Sequence, residues 1–236
     1  MNLDVLFSRA EIEGTKLAGR TVAVIDVLRA TSTLIEALAH GARAVIPVDT
    51  VERAVRTAAE IGKGDVLLSG ERGSLPIEGF HFGNSPAEFT EERVSGKTLV
   101  MTTTNGTAAL LAAASAKRCV IAAFLNADAV ASALGDGDDA TLICAGKEGR
   151  FALEDAVCAG LIARRMSAAK RVRGTDSARA AMRLASRLGH PPLRFLRRTT
   201  AGVQLRNLGL SRDVDFCGLL DRYGHVPEMR DRRVTL

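Results

Sequence analysis

Tryptophan is missing and aromatic residues make up 4% of the 236 positions. A stacked aromatic platform for single-stranded nucleic acid therefore has no material here. The four cysteines, Cys119, Cys144, Cys158 and Cys217, form no C-x-x-C pair. Each sits in an apolar setting such as "LICAG" or "DAVCAG", which predicts buried free thiols in a reducing cytoplasm. No apolar run approaches the roughly 20 residues of a membrane span. The start, "MNLDVLFSRAEIEG", carries acids and lacks the long apolar stretch of a signal peptide. Several catalytic templates are also missing: there is no G-x-x-x-x-G-K-[ST], no G-x-S-x-G, and no G-x-G-x-x-G after the first apolar strand. The four histidines share no metal-ligand spacing. His81 lies in a long loop, open to acid/base or substrate contact, and His225 reads as structural. The acidic "GDGDDA" at 135–140 lacks the remaining ligands of a calcium loop and reads as a plain turn.

What is present is an ordinary globular composition, 47% hydrophobic and 25% charged, in a chain long enough for one large domain or two small ones. The expected organisation is a single compact domain over 1–236, with no clear linker and no internal repeat. The net charge of +5 is unevenly spread: from Leu161 to Arg212 thirteen Lys or Arg face one acid, Asp176. Solvated helix faces account for most of these. A field drawing in acidic substrates is the sharper reading, and nucleic acid is disfavoured because no binding motif accompanies the charge.

Strand-length apolar runs alternate with helical patterns. "TVAVID", "ARAVIPVD", "DVLLSG", "KTLVMT", "RCVIAAF" and "ATLICAG" read as strands. "TLIEALAH" before Gly41, "VERAVRTAAEIG", "GTAALLAAASA", "ADAVASAL" and "ALEDAVCAGLIARRMSA" read as helices. Such alternation predicts an α/β fold of βαβ units, with a largely parallel sheet covered by helices. Sites in such sheets lie at the strands' carboxyl ends. The polar signatures fall there: "DVLRATST", "GERG", "TTTNGT" and "AGKEGRFALED" each follow a strand. Four loops on one rim of one sheet would converge on one pocket. The longest irregular segment, Gly70 to Gly96, is the length of a functional loop. From Lys170 the pattern is helical and basic, and from Pro191 less regular.

Asp26 ends an apolar strand, where a buried unpaired carboxylate is costly. It must reach water, a cation or a donor, and Arg29 is a simple pairing partner. Thr31, Ser32 and Thr33 open a helix, where one hydroxyl suffices as a cap. Three beside an arginine suggest an oxyanion site at the helix N-terminus. "TTTNGT" repeats the logic with Thr103, Thr104, Asn105, Gly106 and Thr107, although an Asn-Gly turn with a threonine cap reads as well. Glu71 and the pair Glu154–Asp155 follow other strands. Asp26, Glu71 and one of that pair would make an all-oxygen site preferring Mg²⁺ or Mn²⁺ to zinc. Neighbours on a helix point about 100° apart, so only one of the two is expected to face the pocket. Alternatively Glu71 pairs with Arg72, and the 154–155 acids are favourable first-turn charges. Asp26 lacks the second aspartate, two positions on, of aspartyl-phosphate phosphatases; Leu28 stands there.

Together "VIDVLRATST", "SGERGSLPIEGFHFGNSP", "TTTNGT", "FLNA", "CAGKEGRFALEDAVCAG" and "DVDFC" resemble, in order, the 2-phosphosulfolactate phosphatase family, from about Val22 to Pro227. The resemblance implies a three-layer α/β/α fold with a parallel or mixed sheet and intertwined subdomains. It implies Mg²⁺-dependent hydrolysis of 2-phospho-3-sulfolactate to 3-sulfolactate and phosphate, a step toward coenzyme M. On it, Asp26, Glu71 and Glu154 or Asp155 lie near the metal, with Asp26, Arg29, Glu71 and Asp155 catalytic. Thr31, Ser32 and Thr33 match the first anion-binding turn, and Thr103 to Thr107 match the second. Asn84 and Ser85 match the long loop. Lys147 stands where the family commonly has threonine, open to a role as a second cation for the sulfonate or as the mark of a shifted substrate. The expected partner is a small anionic phosphoester, with neither nucleic acid nor membrane, and the chain is expected to form a homodimer. A non-catalytic oxyanion-binding module and a phosphatase of another small acidic ester are the alternatives.

Overall fold

The computed structural model describes residues 1–12, 17–62, 64–135, 139–169, 171–188 and 192–236. The acidic turn at 135–140 lies largely outside them.

The first apolar run, β2 (Thr21–Ile25), occupies the middle of an inner parallel block, flanked by β7 (Arg118–Ala122) and β8 (Ala140–Cys144). β1 (Asn2–Leu6) extends this block beyond β8, and β9 (Arg173–Gly174) closes its edge. An outer parallel block holds β3 (Ala44–Pro47), β6 (Thr98–Thr102) and β4 (Val66–Arg72), with β5 (Leu75–Pro76) folding back antiparallel on β4. The C-terminal hairpin of β10 (Glu228–Arg230) and β11 (Arg233–Thr235) joins the blocks, pairing antiparallel with β7 on one side and with β3 on the other.

Three antiparallel steps across the hairpin give the two blocks opposite strand sense. The expected single rim of one sheet is thereby corrected: the sheet is mixed and the active-end loops come from two blocks. Strands twist by roughly 20–25° per step, so rotation accumulates across the hairpin that joins the two blocks. The carboxyl-end loops still meet, as the Glu148 N–H bonding Asn105 Oδ1 at 2.9 Å shows.

Side-chain alternation along β2 sets the layers. Val22 and Val24 pack into a core with helices α1 (Ala30–Ala39) and α4 (Gly106–Ala112); α2 (Val51–Ile61) and the short α3 (Glu91–Val94) lie between these in the chain. That core also takes Val45 of β3 and Leu99 and Met101 of β6, so α1 and α4 pack against both blocks. Ala23 and Ile25 face the opposite core, with α5 (Ala127–Gly135), α6 (Leu153–Ala169) and α7 (Asp176–Leu188). Helices thus cover both faces, in a three-layer α/β/α order. Fully buried side chains such as Ile25 and Leu142 contribute about 1.5–3 kcal/mol each. Three short helices, α8 (Pro192–Leu196), α9 (Thr200–Asn207) and α10 (Ser211–Cys217), form the segment that looked irregular in sequence.

Gly41 ends α1 as expected, at φ +84°, a backbone region that disfavours other side chains. Gly160 works differently. It lets α6 touch α7, and a Cβ there would lie 1.9 Å from the Ala181 carbonyl oxygen. Gly160→Ala is expected to destabilise the fold by about 2–3 kcal/mol through overpacking. Tm should fall by roughly 5–10 °C in thermal denaturation, and an unchanged Tm would contradict this packing. All four cysteines are buried and free. Burial pushes the Cys119 and Cys217 thiols up to about 12, so neither supplies a thiolate at neutral pH. Among the described residues no helix is long and apolar enough to cross a membrane.

Candidate active site

The loops after β2, β4, β6 and β8, with α9 across the mouth, surround about 640 Å³ of space that includes the open entrance. Five acids line it, Asp26, Glu71, Glu148, Glu154 and Asp155, against two cations, Arg29 and Lys147.

The chain leaves β2 into α1 through a turn locked by its own side chains. The Asp26 N–H donates to Thr31 Oγ1 at 2.9 Å, and that hydroxyl donates back to the Asp26 carbonyl at 2.8 Å. The Ala30 N–H donates to Asp26 Oδ1 at 3.2 Å. The anion at the start of α1 is therefore Asp26 itself. The expected oxyanion site built from Thr31, Ser32 and Thr33 is corrected accordingly. Their side chains are buried away from the cavity, Ser32 donating to the Val27 carbonyl and Thr33 to the Asn84 carbonyl. A hydroxyl whose proton is committed to a carbonyl has none to give a phosphate.

Arg29 does not pair with Asp26. Its Nη1 bonds Asp213 Oδ2 at 2.6 Å, with both side chains 4% exposed, and its Nη2 donates to the Ser74 carbonyl at 2.8 Å. The other Asp213 oxygen accepts from the Ser85 hydroxyl at 2.6 Å. Ser85 thus holds Asp213 and does not line the cavity.

Glu71 does not pair with Arg72, which instead donates to the Glu71 carbonyl and to Thr102 Oγ1. β4 runs on to Arg72 and turns back, so the supposed loop begins as a hairpin. The Glu71 carboxylate accepts the N–H of Thr104 and of Ser74, both at 2.8 Å. Asp155 is fixed in the same way, by the N–H of Val27 at 2.9 Å and of Gly146 at 3.1 Å. It ties the loop after β2 to the loop after β8. Both Glu154 and Asp155 line the cavity, contrary to the one-of-two expectation, because the first turn of α6 points its open end at the site.

In the second turn, Thr104 and Asn105 line the cavity. Thr103 and Thr107 do not. They bond each other reciprocally, N–H to hydroxyl at 3.1 Å in both directions, and so cap α4. Gly106 sits against the key acid: a Cβ there would lie 2.7 Å from Asp26 Oδ2 and 2.5 Å from the Ala30 Cβ. Only glycine lets α4 approach so closely. Asn84 lines the cavity, 4% exposed, and its Oδ1 is buried with no hydrogen-bond partner. His81 is exposed, with its Nδ1 accepting from the Leu68 N–H at 3.0 Å outside the cavity. His225 stacks on Tyr223.

Burial pushes the Asp26 carboxyl up to about 7, opposed by the Ala30 N–H, reinforced by the charges of Glu71 and Glu154, and offset by Arg29. Burial also raises Asp155 well above the usual carboxylate range, with Asp26 and Glu154 adding to it. Glu154 is raised by burial against the pull of its backbone N–H, Thr199 and Lys147. With Arg29 neutralised by Asp213, the cavity is short of positive charge.

A cation would answer that deficit. Among the described residues, however, no three His, Cys, Asp or Glu form a ready ligand set. The expected grouping of Asp26, Glu71, Glu154 and Asp155 as ligands is found as a shared cavity wall, in which Glu71 and Asp155 each accept two backbone N–H groups that orient their carboxylates. Asp26, Glu154 and the unpartnered Asn84 Oδ1 remain as oxygen donors. That set suits Mg²⁺, which takes one or two carboxylates and fills its octahedron with water and phosphate oxygens.

Asp213, Gln204 and Ser74 went unseen in the sequence. Asp213 opens "DVDFC", but nothing there distinguishes its carboxylate from that of Asp215. Gln204 lies in a stretch with no local signal.

A family model described as 2-phosphosulpholactate phosphatase matches residues 6–232. A Clostridium beijerinckii protein named "Probable 2-phosphosulfolactate phosphatase" is 36% identical, over 100% of this chain and 99% of its own. Proteins of the same name from Thermotoga petrophila and Symbiobacterium thermophilum are 42% and 41% identical. They cover 89% and 94% of this chain, and 89% and 96% of their own lengths.

Proposed function

The chain belongs to the 2-phosphosulpholactate phosphatase family, a family of phosphoric monoester hydrolases, and we propose that it hydrolyses 2-phospho-3-sulfolactate to 3-sulfolactate and phosphate with Mg²⁺, in a route toward coenzyme M. The observation that carries this reading is the cavity itself: five acids line it against Lys147 and an arginine already paired with Asp213, an excess of negative charge that a bound cation offsets for an anionic ester.

Asp26, Glu154 and Asn84 would hold the ion, which when bound supplies Lewis-acid polarisation of the phosphoryl group and lowers the pKa of a bound water. Arg29 has guanidinium N–H groups beyond those given to Asp213 and Ser74, and these take phosphoryl oxygens where charge develops. Asn105 and Thr104 flank the same space. Glu71, held rigid by two backbone donors, orients the attacking water. Water oxygen bonds to phosphorus, the phosphorus–ester oxygen bond breaks, and the alkoxide takes a proton. Of the raised carboxyls, Asp155 is not assigned to the ion, and it supplies the proton for that step.

The test is phosphate release. With 2-phospho-3-sulfolactate and Mg²⁺ the protein should turn over, and excess chelator should abolish it. Turnover untouched by chelator removes the metal from the reading. Faster release from 2-phospholactate or phosphoglycerate reassigns the substrate to another small acidic ester. Binding without release leaves only an anion-binding module.

A further inference from the structure

The two cavity cations differ in what they touch. Arg29 is neutralised by Asp213 at 2.6 Å. Lys147, on the loop after β8, donates its Nζ to the side-chain oxygen of Gln204 on α9. Among the described residues it makes no ion pair. A neutral amide fixes an ammonium without cancelling its charge, whereas a carboxylate does both. The other end of Gln204 reaches Ser74: its Nε2 donates to the Ser74 hydroxyl at 3.4 Å. Ser74 in turn gives its N–H to Glu71 and its carbonyl to Arg29. Gln204 therefore spans the cavity mouth from the loop carrying Lys147 to the hairpin that positions Arg29 and Glu71. Arg29, Glu71, Ser74, Lys147 and Gln204 all line the cavity.

We propose that Gln204 is a positioning residue that holds the Lys147 ammonium in the cavity without a direct carboxylate contact, and that Lys147 takes the substrate's second anionic group while Arg29 takes the phosphoryl group. The inference rests on the phosphatase reading for its substrate and extends it to specificity. A lysine free of a carboxylate partner is a point charge suited to a sulfonate or carboxylate oxygen, which requires no planar fork. The charge-assisted bond to it exists only for substrates carrying a second acid.

Two substrates separate the roles: 2-phospho-3-sulfolactate, and phenyl phosphate, which has no second acid. In Gln204→Leu, KM for the first should rise about tenfold with kcat within about twofold, and KM for phenyl phosphate should change less than about twofold. Gln204→Glu, close in shape, should act at least as strongly, because its carboxylate pairs with the ammonium. Lys147→Met should raise the same KM, and adding Gln204→Leu to it should raise it no further. A binding arm needs no turnover: Gln204→Leu should weaken 3-sulfolactate about tenfold in calorimetry and inorganic phosphate, which carries no second acid, less than about twofold. Equal effects on both substrates, no effect, or multiplicative effects in the double variant would overturn the proposal. If the wild-type protein releases no phosphate from any ester, the functional reading fails and the binding arm alone decides this one.

Discussion

Asp26→Asn should reduce phosphate release by at least about 100-fold, the scale of one lost transition-state contact, while the protein stays folded and gains thermal stability at neutral to alkaline pH. The loss follows from position: Asp26 lines the cavity with Oδ1 on the Ala30 N–H and Oδ2 against Gly106, where it would hold the ion. The gain follows from linkage. Burial raises this carboxyl from 3.8 to about 7. Between those values the folded protein binds the proton that the unfolded chain has released, so stability falls as pH rises through that window. Asparagine keeps the Oδ1 acceptor for the Ala30 N–H and carries no charge to desolvate. Its advantage in Tm, measured under chelator, should be near zero at pH 4 and largest above pH 7. A variant with near wild-type turnover removes Asp26 from the chemistry, and one that is less stable at pH 8 contradicts the burial argument.

Asp213→Leu should cost about 3–5 kcal/mol, because it leaves Arg29 buried and charged without its partner. For a chain of this size that is a Tm loss of roughly 10 °C or more. Ser85 loses its acceptor in the same change. The double variant Arg29→Met with Asp213→Leu replaces the pair by apolar volume and should recover most of the stability. It should not recover activity, since the guanidinium that faces the phosphoryl group is gone. Recovery of both would mean the pair only stabilises the fold. A Tm loss under about 2 °C in Asp213→Leu would mean that the ion pair is not buried in solution.

The two substitutions mark where local reading stops. Asp26 announced itself because a carboxylate at the end of "TVAVI" conflicts with its surroundings whatever the fold. Asp213 did not, because its value lies in a partner 184 positions away. Thr31, Ser32 and Thr33 illustrate the opposite error. Three hydroxyls beside an arginine have the composition of an anion site, yet their protons go to carbonyls of residues 26, 27 and 84. Composition records which donors exist and leaves open where they aim. β1 was missed because five residues with two polar ones carry little periodic signal, and the β10–β11 hairpin because three-residue strands carry less.

The sequence by itself determined the alternation of strands and helices, the stop at Gly41, the burial of the cysteines and the four loops that carry the acids. These are consequences of side-chain periodicity and backbone preference within a dozen residues. Only the tertiary structure decided that two parallel blocks of opposite sense bring those loops together, that Arg29 belongs to Asp213, and that Gln204 holds Lys147. Such pairings join segments across the whole chain, and distance in space, not in sequence, sets their energies.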